Sequence, residues 1–348
     1  GGVMPAGDWL YRALCEVFVR GVGVEETGAA LSRVVAPVVG HDALRLMVMN
    51  PSLGVGASAL GFWHGYGPDV GRELMRAGSR GAAFTQLARL ARRPGPVVVD
   101  RGLRGGWYDQ LLARHGFDEE LCLVLRDGRG VWGLLGLKRA QGSRPFGAED
   151  TLRIAGIGPA LVGALRGYVT RGPVAPGGQG DELPPGMLVV SDEGTVAAMT
   201  SQARAWQAVM AHGQAAPEWL IEYCFAALSF EARAHAHNPR RRYPRVCTPV
   251  IGHGQWAVFE AQPLGGNGDI AIVIQRATGA LLLPTFCDWY KITARERQVI
   301  GYLQNGAAPK QIARLLGLSL HTVNQHLRAV FHKTGSCGRD ELMAALTA

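Results

Sequence analysis

Residues 171–186 read RGPVAPGGQGDELPPG, with four prolines and five glycines. Proline lacks the N–H that a helix interior or a central strand requires, and glycine loses the most backbone freedom on ordering. No regular element can cross this stretch, so it is a linker that divides the chain near 170–186. At about 100–200 residues per domain, its 348 residues allow two or three domains. The linker separates 1–170 from the rest. A softer boundary is placed at Leu281-Leu282-Leu283-Pro284, after a strand-like run and before a helical pattern opening at Thr293.

The chain has the composition of a folded protein. Apolar residues make up 47% and charged residues 18%, enough to build cores and to exclude global disorder. The longest uncharged run, 46–68, is broken by Asn50, Pro51 and five glycines, and 154–165 is too short to span a bilayer, so no membrane segment is expected. No basic stretch followed by an apolar one opens the chain, and a cytoplasmic protein is expected. The six cysteines come no closer than 23 residues apart, which excludes CxxC and zinc spacings and suits free thiols in a reducing compartment.

Signatures of enzymes are missing as well. There is no G-x-S-x-G, no H-E-x-x-H and no Walker loop. His235 and His237 flank Ala236 near Arg240-Arg241-Arg242, but no third ligand is within reach by sequence, so an exposed basic loop is expected rather than a metal site. Trp63, Trp132, Trp206 and Trp256 read as core or pocket lining. No enzyme activity, cofactor or metal is expected.

In the first block, 8–20 and 25–39 carry apolar residues at helical spacing, and 43–49 reads as a strand. Residues 120–126 and 131–138 read as a hairpin across Asp127-Gly128, and 146–169 as one long helix weakened by Gly156, Gly158 and Pro159. Helices before and after antiparallel strands predict an α+β sandwich. In the second block, 187–191 and 195–199 flank Asp192-Glu193-Gly194, and Ser201 is the expected N-cap of a helix reaching His212. A helix over 217–230 and strands over 245–251, 255–264 and 269–276 follow, with Ile270, Ile272 and Ile274 on one strand face.

The basic end of the chain carries the functional signal. The net charge is +8, and from residue 290 onward eight Lys/Arg stand against three acids. Thr293 and Glu296 are spaced as a capping box, Val299, Ile300 and Leu303 form a buried stripe, and Asn305-Gly306 ends that helix. Pro309 suits the first turn of a second helix with Ile312, Leu315 and Leu316 on its core side, stopped by Gly317. Ser319 caps a third helix. There Leu318 and Val323 are placed as a hydrophobic staple, and Val323, Leu327 and Val330 face inward. His321, Asn324, Gln325, Arg328 and His332 then face outward. Helix, tight turn, helix is the pattern that sets a reading helix in the DNA major groove. Asn and Gln can pair with adenine and Arg with guanine, and Lys310, Thr322 and Lys333 can donate to phosphates.

Here the chain resembles the LuxR-type (GerE-like) helix-turn-helix. The matching run is Thr293, Arg295-Glu296, Val299, Gly306, Ile312-Ala313, Leu316, Ser319, Thr322-Val323, His326-Leu327, Lys333, Gly335 and Arg339. Asn324 stands where the family commonly has Lys, and Gln311 where it commonly has Glu. The resemblance implies an all-α four-helix domain over 285–348. It also implies base contacts from Asn324, Gln325 and Arg328, promoter DNA as partner, and a homodimer. The last helix, from Arg339, would either pair in that dimer or close its own domain through Leu342, Met343 and Leu346. By layout, 1–170 resembles a GAF domain and 187–280 a PAS domain, either sensing an unknown small molecule or serving as dimerisation modules. The expected protein is a regulator whose sensor domains modulate a DNA-binding tail. The alternative is a sensor or dimerisation protein whose tail binds a protein partner.

Overall fold

The computed structural model describes residues 6–53, 60–65, 67–71, 73, 89–95, 97–99, 106–172, 174, 183–214, 218–251 and 255–347. Its first part runs α1 (Ala6–Val17), α2 (Val24–Val35), β1 (Ala43–Val48), a 3-10 turn (Pro51–Leu53), β2 (Leu60–His64), β3 (Val97–Val99) and α3 (Trp107–Arg114). It continues with β4 (Phe117–Asp127), β5 (Gly130–Ala140), α4 (Ala148–Ala155) and α5 (Gly158–Thr170). The five strands form one antiparallel sheet in the order β2-β1-β5-β4-β3. The helix expected over 146–169 is two helices, because the chain turns at Gly156-Ile157 and restarts with Pro159 in the first turn of α5.

Both faces of this sheet are covered. Leu121, Leu123 and Leu125 of β4 enter one core with α1, α2 and α5, where Phe18 meets Phe62 edge-on at 5.4 Å. Cys122 and Val124 enter another core with Tyr108, Leu111 and Leu112 of α3. That alternation explains why β4 reads as a continuous apolar run. The same outer face buries an ionic cluster. Glu120 is paired bidentately with Arg45 (2.7 and 2.9 Å) and with Lys138 (2.9 Å), and it accepts from the Tyr108 hydroxyl. Burial alone would raise the Glu120 pKa, but the two cations hold it far below the usual carboxylate range. Gly136 lies among these groups, and a Cβ there would come within 2.0 Å of Glu120 Oε1.

The second part runs β6 (Gly186–Val190), β7 (Val196–Met199), α6 (Ser201–Gln214), α7 (Glu218–His237), β8 (Arg245–Val250), β9 (Gln255–Pro263) and β10 (Ile270–Arg276). Its sheet, β7-β6-β10-β9-β8, is also antiparallel and repeats the strand order of the first. Ile270, Ile272 and Ile274 are buried on one face, with Trp206 and Phe225. Thr200, one residue before the expected Ser201, caps α6 by accepting from the Ala203 N–H at 3.2 Å. Residues 175–182 of the linker, and Pro217, lie outside the described residues.

Helix α7 is apolar on two sides, and each side has a partner. Ile221, Phe225, Leu228 and Ala232 pack into the second core. Trp219 reaches the first sheet, 4.9 Å from Trp63 between ring centroids, and Tyr223 and Phe230 pack with Met47. The expected basic loop is shorter than its sequence suggests. His235 and His237 belong to the last turn of α7, and His237 Nδ1 lies 2.7 Å from the Arg233 carbonyl.

The expected boundary at 281–284 is instead the middle of a helix, α8 (Gly279–Trp289), which carries Pro284 in its interior. Leu282 and Phe286 of α8 share a core with Cys247, Trp256 and Val258 from the outer face of the second sheet. Burial there holds a proline that a solvent-exposed helix would not keep. Four helices follow: α9 (Ala294–Gln304), α10 (Pro309–Leu316), α11 (Leu320–Thr334) and α12 (Arg339–Thr347).

Candidate nucleic-acid interface

Local chemistry sets the ends of these helices. Thr293 Oγ1 accepts from the Glu296 N–H, and the Glu296 carboxylate accepts from the Thr293 N–H at 2.7 Å, so the capping box forms as expected. Gly317 has φ +63°, the left-handed conformation that ends α10 and turns the chain into α11. Ser319 Oγ accepts from the Thr322 N–H at 3.0 Å and caps α11. Arg295 donates to the Leu316 carbonyl at 3.0 Å, tying α9 across the turn. Sequence reasoning singled out Arg295 only as part of a family pattern.

Val299, Leu303, Ile312, Ala313, Val323 and Leu327 form the small core under the turn. Leu315, expected on the core side of α10, is 60% exposed, because Ile312 and Ala313 already fill that face. Leu320, in the first turn of α11, is 45% exposed. Val323, Leu327 and Val330 face inward as expected.

The outward row is open. Asn324, Gln325, Arg328, His321 and His332 are exposed along α11, and Lys310 is exposed in the first turn of α10. Among the described residues, none holds the Asn324, Gln325 or Arg328 side chain in a hydrogen bond or ion pair. Thr322 is half-buried, with Oγ1 2.8 Å from Ser319 Oγ.

Lys333 departs from its expected role at phosphate. Its ammonium donates to both oxygens of Glu296 (2.6 and 2.8 Å) and to the Lys291 carbonyl (3.1 Å), which occupies all three of its hydrogens. Glu296 is only 4% exposed. Burial works against ionisation there, but Lys333 and the Thr293 N–H hold the Glu296 pKa below its ordinary value. The pair braces α9 against α11. The last helix closes its own domain: Leu342, Ala345 and Leu346 are buried in a core that also contains Ile300, Val330 and residues of α8.

Among the described residues, no three His, Cys, Asp or Glu side chains are arranged to hold a metal ion. None of the described helices is long and apolar enough to cross a membrane.

Residues 291–345 match the family described as bacterial regulatory proteins, luxR family, and this segment is a LuxR-family helix-turn-helix domain. The chain is 47% identical over 53 residues to the monoamine regulon transcriptional regulator of Klebsiella aerogenes. The match covers 15% of this chain and 23% of that relative, so the chain is similar to it over a short segment only. A crystal structure of Escherichia coli SdiA overlays 97% of this chain and 95% of its own at 11% identity, with a TM-score of 0.33. An extracellular ligand binding receptor from Desulfohalobium retbaense overlays 77% of this chain and 36% of its own at 11% identity, with a TM-score of 0.19. Neither overlay is close enough to bear on the fold.

Proposed function

We propose that the chain is a cytoplasmic, homodimeric, sequence-specific DNA-binding transcriptional regulator rather than an enzyme. The observation that carries this reading is the open face of α11. Three side chains able to pair with base edges, Asn324, Gln325 and Arg328, stand exposed and unheld on the second helix of a LuxR-family helix-turn-helix. The surplus of cations from residue 290 onward suits the phosphate backbone of promoter DNA. Lys310 and Thr322 are the proposed phosphate contacts, and Lys333 acts as the brace described above.

Residues 1–170 and 187–280 are read as GAF-like and PAS-like input domains on either side of the 171–186 linker, with the helices after α8 as the output. The repeated strand order and the helices laid on each sheet support that reading. A ligand or partner that binds one arrangement of these domains more tightly than another would shift the tail between states. Specific observations favour a second reading, in which the tail docks on a protein: Leu315 and Leu320 are exposed beside the turn.

Salt separates the two readings. Fluorescence anisotropy with a selected duplex should show affinity falling steeply with salt, and Arg328→Ala should abolish preference for that duplex over unrelated sequence. Weak, salt-insensitive binding that Arg328→Ala leaves unchanged would favour the protein partner.

A further inference from the structure

The C-terminal end of α8 is gripped by residues of the first sheet, far away in the chain. Asp288, 7% exposed, accepts from the Ser52 N–H at 3.0 Å and from the Ser52 hydroxyl. Arg129, at the tip of the β4–β5 hairpin, stands 3.6 Å from the Asp288 carboxylate. It donates to the Cys287 carbonyl at 3.2 Å and to the Ile292 carbonyl at 2.7 Å. Trp289 meets Trp132 of β5 edge-on, with ring centroids 4.9 Å apart.

Two features make this more than ordinary packing. A guanidinium at a helix C-terminus faces the negative end of the dipole and satisfies carbonyls that lack intrahelical donors. The carbonyls that Arg129 bridges lie on either side of Lys291, the one described non-glycine residue with positive φ, at 55°. A non-glycine residue keeps the left-handed conformation only where its surroundings impose it. That turn is the helix's own C-terminal cap, closed by the Ile292 N–H on the Cys287 carbonyl at 2.9 Å and the Lys291 N–H on the Asp288 carbonyl at 3.3 Å. Arg129 adds a side-chain tie across it, and Ile292 immediately precedes the N-cap of α9.

We propose that Arg129, Asp288 and Ser52 form a latch through which the first sheet's hairpin governs the DNA-binding tail. The inference rests on the DNA-binding reading above. Latched, α8 and the reader are one packed body with both sheets, and two readers in a dimer cannot adjust to the spacing of paired half-sites. This is the low-affinity state. Opening the latch releases α8, with the reader packed on it, from the first sheet's hairpin. The latch also touches the second part, because Arg242 donates to the Ser52 carbonyl at 2.6 Å.

The test uses the full chain with Arg129→Ala, Arg129→Lys and Ser52→Ala, the last as a milder change that keeps the backbone bond to Asp288. Hydrogen exchange over 287–293 and affinity for a duplex selected by the wild type are read together. Arg129→Ala should speed exchange there and raise affinity about tenfold, with smaller rises for Arg129→Lys and Ser52→Ala. Faster exchange with unchanged or lowered affinity in all three variants would overturn the latch. If the wild type binds and Arg328→Ala abolishes selection, such a result condemns the latch alone. If the wild type selects no duplex, the DNA reading falls and takes the latch with it.

Discussion

Replacing Lys333 with methionine separates its bracing role from a phosphate contact. The substitution removes both ammonium bonds to Glu296 and leaves a carboxylate of 6% side-chain exposure with the single Thr293 N–H as partner. Removing one member of a well-buried pair costs about 3–5 kcal/mol. Lys333 keeps 28% of its side-chain surface, so part of its attraction is already screened, and a loss of about 2 kcal/mol is expected. That corresponds to a roughly 30-fold rise in exchange of the slow amides of α9 and α11, readable by hydrogen exchange on the full chain. Affinity for DNA should retain its dependence on salt. A phosphate contact would behave the other way, with unchanged exchange and a salt slope reduced by about 0.9, and that result would refute the bracing role. The wild-type pair also sets an acid limit. Because the folded Glu296 pKa lies below its unfolded value, its contribution is complete above about pH 4.3 and is lost as pH falls through the folded value.

Glu120→Ala leaves Arg45 and Lys138 without their shared carboxylate, and a loss of about 3–5 kcal/mol in the first sheet is expected by calorimetry. Gly71→Ala places a Cβ 2.5 Å from the Trp219 ring, so that ring must shift, and a changed tryptophan emission with faster exchange in α7 is expected. Burial lowers the pKa of His41, so the fold loses stability as pH drops below about 6.5 towards the folded value. His41→Gln should flatten that part of the denaturation profile.

What could be read from the sequence was what neighbouring residues decide among themselves. The Thr293–Glu296 box, the Ser319 cap and the Gly317 turn each close within three or four positions, so residue type alone places them. Leu315 was misplaced because helical spacing gives the face of a helix but not how much of that face the core needs. The boundary placed at 281–284 falls inside a helix for a related reason: α8 is buried between the second sheet and the tail, and tertiary packing outweighs the missing N–H. Thr200 rather than Ser201 caps α6, a one-residue ambiguity between two equivalent hydroxyls. The long-range features left no local trace. Arg129 meets Asp288 across 159 positions and Lys333 meets Glu296 across 37. The two-sided use of α7 appears in the sequence only as a helix with too little polar surface.

The central claim is that the exposed row on α11 reads DNA. Affinity selection of genomic fragments by the full chain, alongside Arg328→Ala, tests it most directly. Enrichment of paired half-sites about one helical turn apart, lost in the variant, is the expected result. Equal recovery of unrelated fragments by both proteins, or of none by either, would contradict it.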